Sequence, residues 1–149
     1  MHYQEVRQGR TFVLRLEHGE IIHETVEAFA REQQVLSAAV IVLGGVDGGS
    51  RLVTGPKQGQ ERPVDPMQLV LNNVHEAVGT GTIFPNDQDQ PQLHMHLSCG
   101  RAQASSTGCI RPGVRVWQII EMVVIELKSG AFRRLLDKDL GFPVLSGQG

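Results

Sequence analysis

In PQLHMHLSCG, residues 91–100, two imidazoles stand one residue apart and apolar side chains fill the alternate positions. His94 and His96 are separated by Met95 and flanked by Leu93 and Leu97. In an extended strand, side chains two apart leave the same face about 6–7 Å from each other. The imidazoles therefore project together, and the three apolar side chains point the other way. Two imidazoles on one strand face can reach a single divalent ion; zinc then needs at least one more protein ligand, with water in any position left open. Cys109, in TGCIRPG, is the best candidate for that ligand, because a thiolate is soft and favours zinc over magnesium or calcium. The link from His96 to Cys109 is long enough for a strand to turn and return beside its neighbour. His75, in NNVHEAVG, is a fourth candidate, with Glu76 beside it an equal contender.

Other readings stand next to the metal. Alternating histidines also occur on a plain solvated strand face, and a free cysteine is commonly a small buried hydrophobe, which applies equally to Cys99. Cys109 as a nucleophile activated by a histidine is a further option. A glycine before it and Arg-Pro-Gly after it would make a tight turn, but no residue completes a triad.

The elements that must position these residues follow from periodicity. RTFVLRLEHGE alternates with Phe12, Leu14 and Leu16 on one face and predicts a half-buried strand. GEIIHETVEAFAREQQV spaces Ile22, Val26, Phe29 and Ala30 as one helical stripe, with His18 and His23 expected at the solvated surface. LSAAVIVLGGV is a short apolar run bounded by glycines, as in a buried strand. DGGSRLVTGPKQGQERPVDP predicts a short strand around Leu52 and Val53 and then a loop; its Gly-Gly matches neither phosphate-loop pattern. MQLVLNNVHEAVGTGTIF reads as one strand or two, PNDQDQP as a turn and RAQASSTG as a link or weak strand. VRVWQIIEMVVIEL is the longest strand, and AFRRLLD closes the series. One or two helices among many hairpin-length connections predict an α+β fold with a mainly antiparallel sheet, built as a single domain over residues 1–149.

Bulk composition narrows the function classes. The 149 residues are 40% hydrophobic and 20% charged, enough to bury a core, and no apolar run approaches the length of a membrane span. MHYQEVRQGR lacks the apolar segment of a secretory signal and the chain has only two cysteines, so a reducing cytoplasm is the expected location. The formal charge of −2 and the absence of a basic run argue against a nucleic-acid partner, whose phosphates demand a basic surface.

The order of motifs resembles the plants-and-prokaryotes-conserved (PPC) domain family over nearly the whole chain. The resemblance runs through FVLRLEHGE, AAVIVLGGV, HEAVGTGTIF, PQLHMHLSCGR, TGCIRPGVRVWQIIEMVVIE and RRLLDKDLGF. Family members typically carry a Pro-x-x-His-x-His strand, then a Gly-Gly-His-Leu turn, then a strand with a Glu. The resemblance implies that the paired histidines match His94 and His96, and that the later histidine, a metal ligand in some prokaryotic members, is replaced here by Cys109 after Gly108. The strand Glu matches Glu121, and Glu76 falls where the family tends to carry an acid.

The resemblance also implies an antiparallel sheet of about seven strands with flanking helices, and assembly as a homotrimer through apolar strand faces such as that of 116–125. DNA binding does not carry over, because the Arg-Gly-Arg-Pro core of the plant AT-hook is missing. The expectation is thus a stand-alone PPC-like domain with a zinc site of His94, His96 and Cys109. An open position would admit water or a small anion; Arg111 would meet a carboxylate or phosphate there, Glu121 or Glu76 would act as base, and His75 would line a pocket. The alternative is a regulatory or scaffold module that binds protein or DNA without chemistry.

Overall fold

A computed structural model describes residues 1–147, in the order β1 (Arg7–Glu17), α1 (Ile22–Glu32), β2 (Ala38–Val46), β3 (Arg51–Pro56), β4 (Pro66–Val70), β5 (His75–Pro85), β6 (Pro91–Arg101), β7 (Ala104–Ile110), β8 (Val116–Lys128), β9 (Arg133–Asp137) and β10 (Phe142–Ser146). Eight strands form one antiparallel sheet in the order β1-β8-β2-β5-β6-β7-β3-β4, and β9 and β10 form a separate hairpin. The eight strands fit the expected sheet of about seven, and α1 is the one α-helix among the described residues. Strand β4 pairs with β3 across a loop rich in Pro and Gly. It is the first of the two strands that MQLVLNNVHEAVGTGTIF allowed, β5 being the second, and its pairing with β3 is what the chain pattern did not record.

Alternation decides which face of the sheet is covered. Leu16 of β1, Val40 and Val42 of β2, Leu93, Met95 and Leu97 of β6, and Ile120, Met122 and Val124 of β8 are buried, and α1 adds Ile22, Val26 and Ala30 to the same core. Phe29 is half-buried and meets Phe12 edge-on at 5.2 Å. In β8 the expected alternation breaks at Gln118, whose φ of 63° marks a bulge; the register against β2 jumps there from Gly44–Ile120 to Gly45–Trp117. An extra residue on one strand re-aims the side chains beyond it.

The opposite face carries rows that cross the sheet, because directly paired residues of antiparallel strands share a side. One row runs Val13, Val123, Ile41, Thr80, His96, Cys109, Val53 and Gln68. The next runs Thr11, Ile125, Ala39, Thr82 and His94. Beneath these histidines β5 comes close to β6 at Gly79 and Gly81. A Cβ on Gly81 would lie 2.7 Å from the His94 carbonyl oxygen, and one on Gly79 would overlap the His96 carbonyl.

A buried carboxylate ties the first strand to the last strand of the sheet. Glu126 of β8 is 2% exposed, and its Oε2 accepts from the Arg10 backbone N–H at 3.0 Å and from Arg10 Nε at 2.9 Å. Arg10 Nη2 donates to Oε1 at 3.0 Å and Lys128 Nζ lies 2.9 Å from the same oxygen. A register shift between Gln8 and Thr11 turns Arg10 onto this group, and Gly9 leaves room for it: a Cβ there would sit 2.6 Å from Oε2. The Arg10 side chain also reaches the Gln33 carbonyl at 2.8 Å, just past the end of α1. The hydrogen bonds from Arg10 first, and then Lys128, hold the carboxyl at about 2 despite burial.

Because the folded carboxyl titrates below its ordinary value of 4.5, its contribution is complete above that value and is lost as pH falls toward about 2. Glu126→Gln is expected to lower stability by about 1–2 kcal/mol at pH 7 and to weaken the loss of stability between those two pH values, as read by urea unfolding at a series of pH values. Gly79→Ala forces a methyl group into the β6 backbone and is expected to cost about 1–3 kcal/mol in the same measurement; a wild-type midpoint would refute the close approach.

Candidate metal centre

The site forms where β7 leaves β6. The β6–β7 ladder runs from Arg101–Ala104 up to His96–Cys109, and beyond it the edge of β6 is open. The helix takes over that edge: Glu27 Oε1 of α1 accepts the Leu93 backbone N–H at 2.9 Å, a donor that a neighbouring strand would otherwise have satisfied. His23, one turn before Glu27, lies close enough to His94 and Arg111 to feel their charge.

His94 and His96 leave β6 on the same side, their ring centroids 5.1 Å apart and their planes at 88°. Cys109 stands directly opposite His96 on β7. One ligand atom from each of the three residues lies within 4.8 Å of the others. Tetrahedral coordination with N and S bonds of about 2.0–2.3 Å holds ligand atoms about 3.3–3.6 Å apart, so small side-chain rotations close the set. The donor chemistry fits as well. Burial first, and then the positive Arg134 with His96 and Arg111, pushes His94 down to about 4, which leaves its imidazole neutral and able to offer a lone pair at pH 7.

Arg111, two residues beyond Cys109, donates from Nη1 to Cys109 Sγ at 2.7 Å and to the Ile110 carbonyl at 3.3 Å. A positive charge is thereby placed against the sulfur. A second guanidinium comes from the β9–β10 hairpin, which docks on the end of β5 through an Asn86–Arg134 bridge, an Arg133 bond to the Asn86 carbonyl at 2.8 Å and an Arg133–Asp89 ion pair. Arg134 is 6% exposed; its Nη2 donates to Thr82 Oγ1 at 2.7 Å, and its Cζ lies 5.9 Å from the centroid of Phe84. Thr82 is the cross-strand partner of His94, so this guanidinium sits beside the histidine pair. Burial lowers the Arg134 pKa, and the charge of Cys109 opposes that shift.

The remaining sequence candidates are elsewhere. His75 lies on the other face of β5, with Nδ1 2.8 Å from the Asn73 carbonyl, an acceptor that requires this nitrogen to donate. Glu76 pairs with Gly100, four residues along β6 from His96, or about 13 Å at the rise of a strand. Glu121 shares the sheet face with the histidines but lies in β8, three strands from β6, or about 14 Å at the usual strand spacing. Within one chain, neither acid reaches the cluster. His23 departs from its expected solvated place: its Nδ1 is buried without a partner, and burial, then Arg111 and His94, push its pKa down to about 4. His23, Thr82 and Arg134 are the neighbours that sequence reasoning missed. The Arg133-Arg134 pair was the only visible sign of the last, and nothing in its spacing connects it to residues 82 or 94.

Comparisons with known proteins agree with this architecture. No curated protein matches the chain in sequence. A metal-containing protein from Archaeoglobus fulgidus has a similar fold, with a TM-score of 0.84 at 22% identity over 98% of this chain and 99% of that one. A plant- and prokaryote-conserved (PPC) protein from Pyrococcus horikoshii also gives a TM-score of 0.84, at 18% identity over 100% of this chain and 99% of its own. Residues 3–128 match the family model of the Plants and Prokaryotes Conserved (PCC) domain, the PPC family of the motif reading, and the chain belongs to that family.

Proposed function

We propose that this chain is a PPC domain whose working centre is a divalent metal ion, zinc by the softness of the donors, held by His94, His96 and Cys109. The observation that carries the reading is the convergence of two imidazole nitrogens and one thiol sulfur within 4.8 Å across adjacent strands. A structural zinc site is closed by four protein ligands, whereas three protein ligands leave a position for water or a small molecule. When bound, the ion supplies a Lewis acid with that open position. The chain's own residues do the rest: β6 and β7 orient the ligands, and Arg111 places its charge on Cys109.

The same sheet face supports a homotrimer as the working form. Val13 is 81% exposed, Val78 59%, Leu43 51% and Ile41 47%, and these side chains stand on one face over β1, β2 and β5, the row of Val13 and Ile41 continuing to His96 and that of Leu43 and Val78 lying next to it. A contiguous apolar surface of this kind is normally covered by a partner. No helix among the described residues is long and apolar enough to cross a membrane; the proposed location is the cytoplasm, where Cys109 would remain reduced and available to a metal.

Plasma mass spectrometry of tag-free protein tests the centre. About one zinc per chain is expected in the native protein and none in a His94→Ala/His96→Ala double variant. Failure of the native protein to take up zinc even when it is supplied would leave a metal-free binding module as the better account. Sedimentation equilibrium tests the assembly. The native protein is expected at three times the chain mass of 16.4 kDa, and Leu43→Arg/Val78→Arg at the mass of a single chain with its circular dichroism retained. A native monomer would exclude the trimer.

A further inference from the structure

Two polar atoms beside the cluster are buried without a partner: Arg134 Nε and His23 Nδ1. Each is costly to leave unsatisfied, and such atoms in a folded protein call for a ligand or another specific explanation. They belong to different elements, the β9–β10 hairpin and α1: Arg134 is bonded to Thr82, the cross-strand partner of His94, and His23 lies one turn before Glu27, which holds the Leu93 backbone. The local charge also has a sign. Among the described residues, neither Arg111 nor Arg134 is in an ion pair, and the one acid nearby with a defined bond, Glu27, is engaged by the Leu93 backbone. A divalent ion on His94, His96 and Cys109 would bring further positive charge than one thiolate cancels.

We infer that Arg134 and the open metal position together form a subsite for a small oxyanion, a carboxylate or a phosphate, with one oxygen directed to the ion and another accepting from Arg134 Nε. The inference rests on the metal reading above and names the ligand class of that centre. Arg134 suits the role because Thr82 fixes Nη2, the Phe84 ring lies against the guanidinium, and Nε is a buried donor without a partner. A planar, pre-oriented guanidinium recognises carboxylate and phosphate oxygens with little further ordering.

The test uses the full chain loaded with cobalt(II), whose visible absorption reports its coordination sphere. Sodium acetate and sodium phosphate are titrated separately at constant ionic strength. Cobalt uptake reads the metal site, and the saturable change in the visible bands reads the anion. The expected result is one cobalt per chain and saturation by one or both anions, the responding anion telling carboxylate from phosphate. Binding should be about tenfold weaker in Arg134→Gln and in Arg134→Lys, both with native cobalt uptake; the lysine variant keeps a positive charge should the glutamine variant fail to fold. Cobalt bound without any anion response, or a response equal in the folded variants, would overturn the subsite and leave the metal centre standing. A native protein that takes up no cobalt would overturn both.

Discussion

The candidate centre depends on the register of one strand. Leu93, Met95, Leu97 and Cys99 of β6 are all buried against the core, and the period of two then sends His94 and His96 to the opposite face. A slip of one residue would bury both imidazoles and expose the apolar row, so hydrophobic burial and the geometry of the histidines are set by the same choice. The close approach of β5 at Gly79 and Gly81 allows little alternative, because the β6 carbonyls at His94 and His96 occupy the space that side chains there would need. The third donor follows from the same register: His96 pairs with Cys109 only while the β6–β7 hairpin keeps its alignment.

Around this strand the protein places positive charge where burial makes charge expensive. Arg134 is almost fully enclosed and hydrogen-bonded to a hydroxyl rather than to a carboxylate. The contrast with Arg10 is instructive. Arg10 is spent on Glu126, a carboxylate bound by three of its donors and by Lys128, and the result is a fastening between strands. Arg134 and Arg111 have no such counter-charge among the described residues, and they border the histidine pair and the thiol. For Arg134, the buried one of the two, charge without a paired counter-charge is unfavourable in a site that serves stability alone.

The outer face of the sheet joins two roles. The row of exposed Val13 and Ile41, with half-buried Val123 between them, continues across Thr80 to His96 of β6. Covering the apolar part of such a face would exclude water from ground next to the cluster, so an assembly through it would alter the electrostatics of the centre. The bulge at Gln118 belongs to the same design, since it sets which β8 residues face the core and which face outward.

From the sequence alone came the strands with a buried face, a helix within residues 19–35, the placing of His94 and His96 on one face and the grouping of Cys109 with them. All of these rest on local periodicity, side-chain chemistry or family motifs, which a linear chain displays. Tertiary structure alone decided that β4 pairs with β3, that His75, Glu76 and Glu121 stand away from the cluster, and that Arg134 and His23 border it. Strand order brings residue 134 to residue 82 and moves residue 121 three strands away from residue 96, and no spacing along the chain records which strands become neighbours. Burial decided the remainder: His23 reads as a solvated helix residue until α1 closes the open edge of β6, which leaves the ring half-buried with its Nδ1 covered.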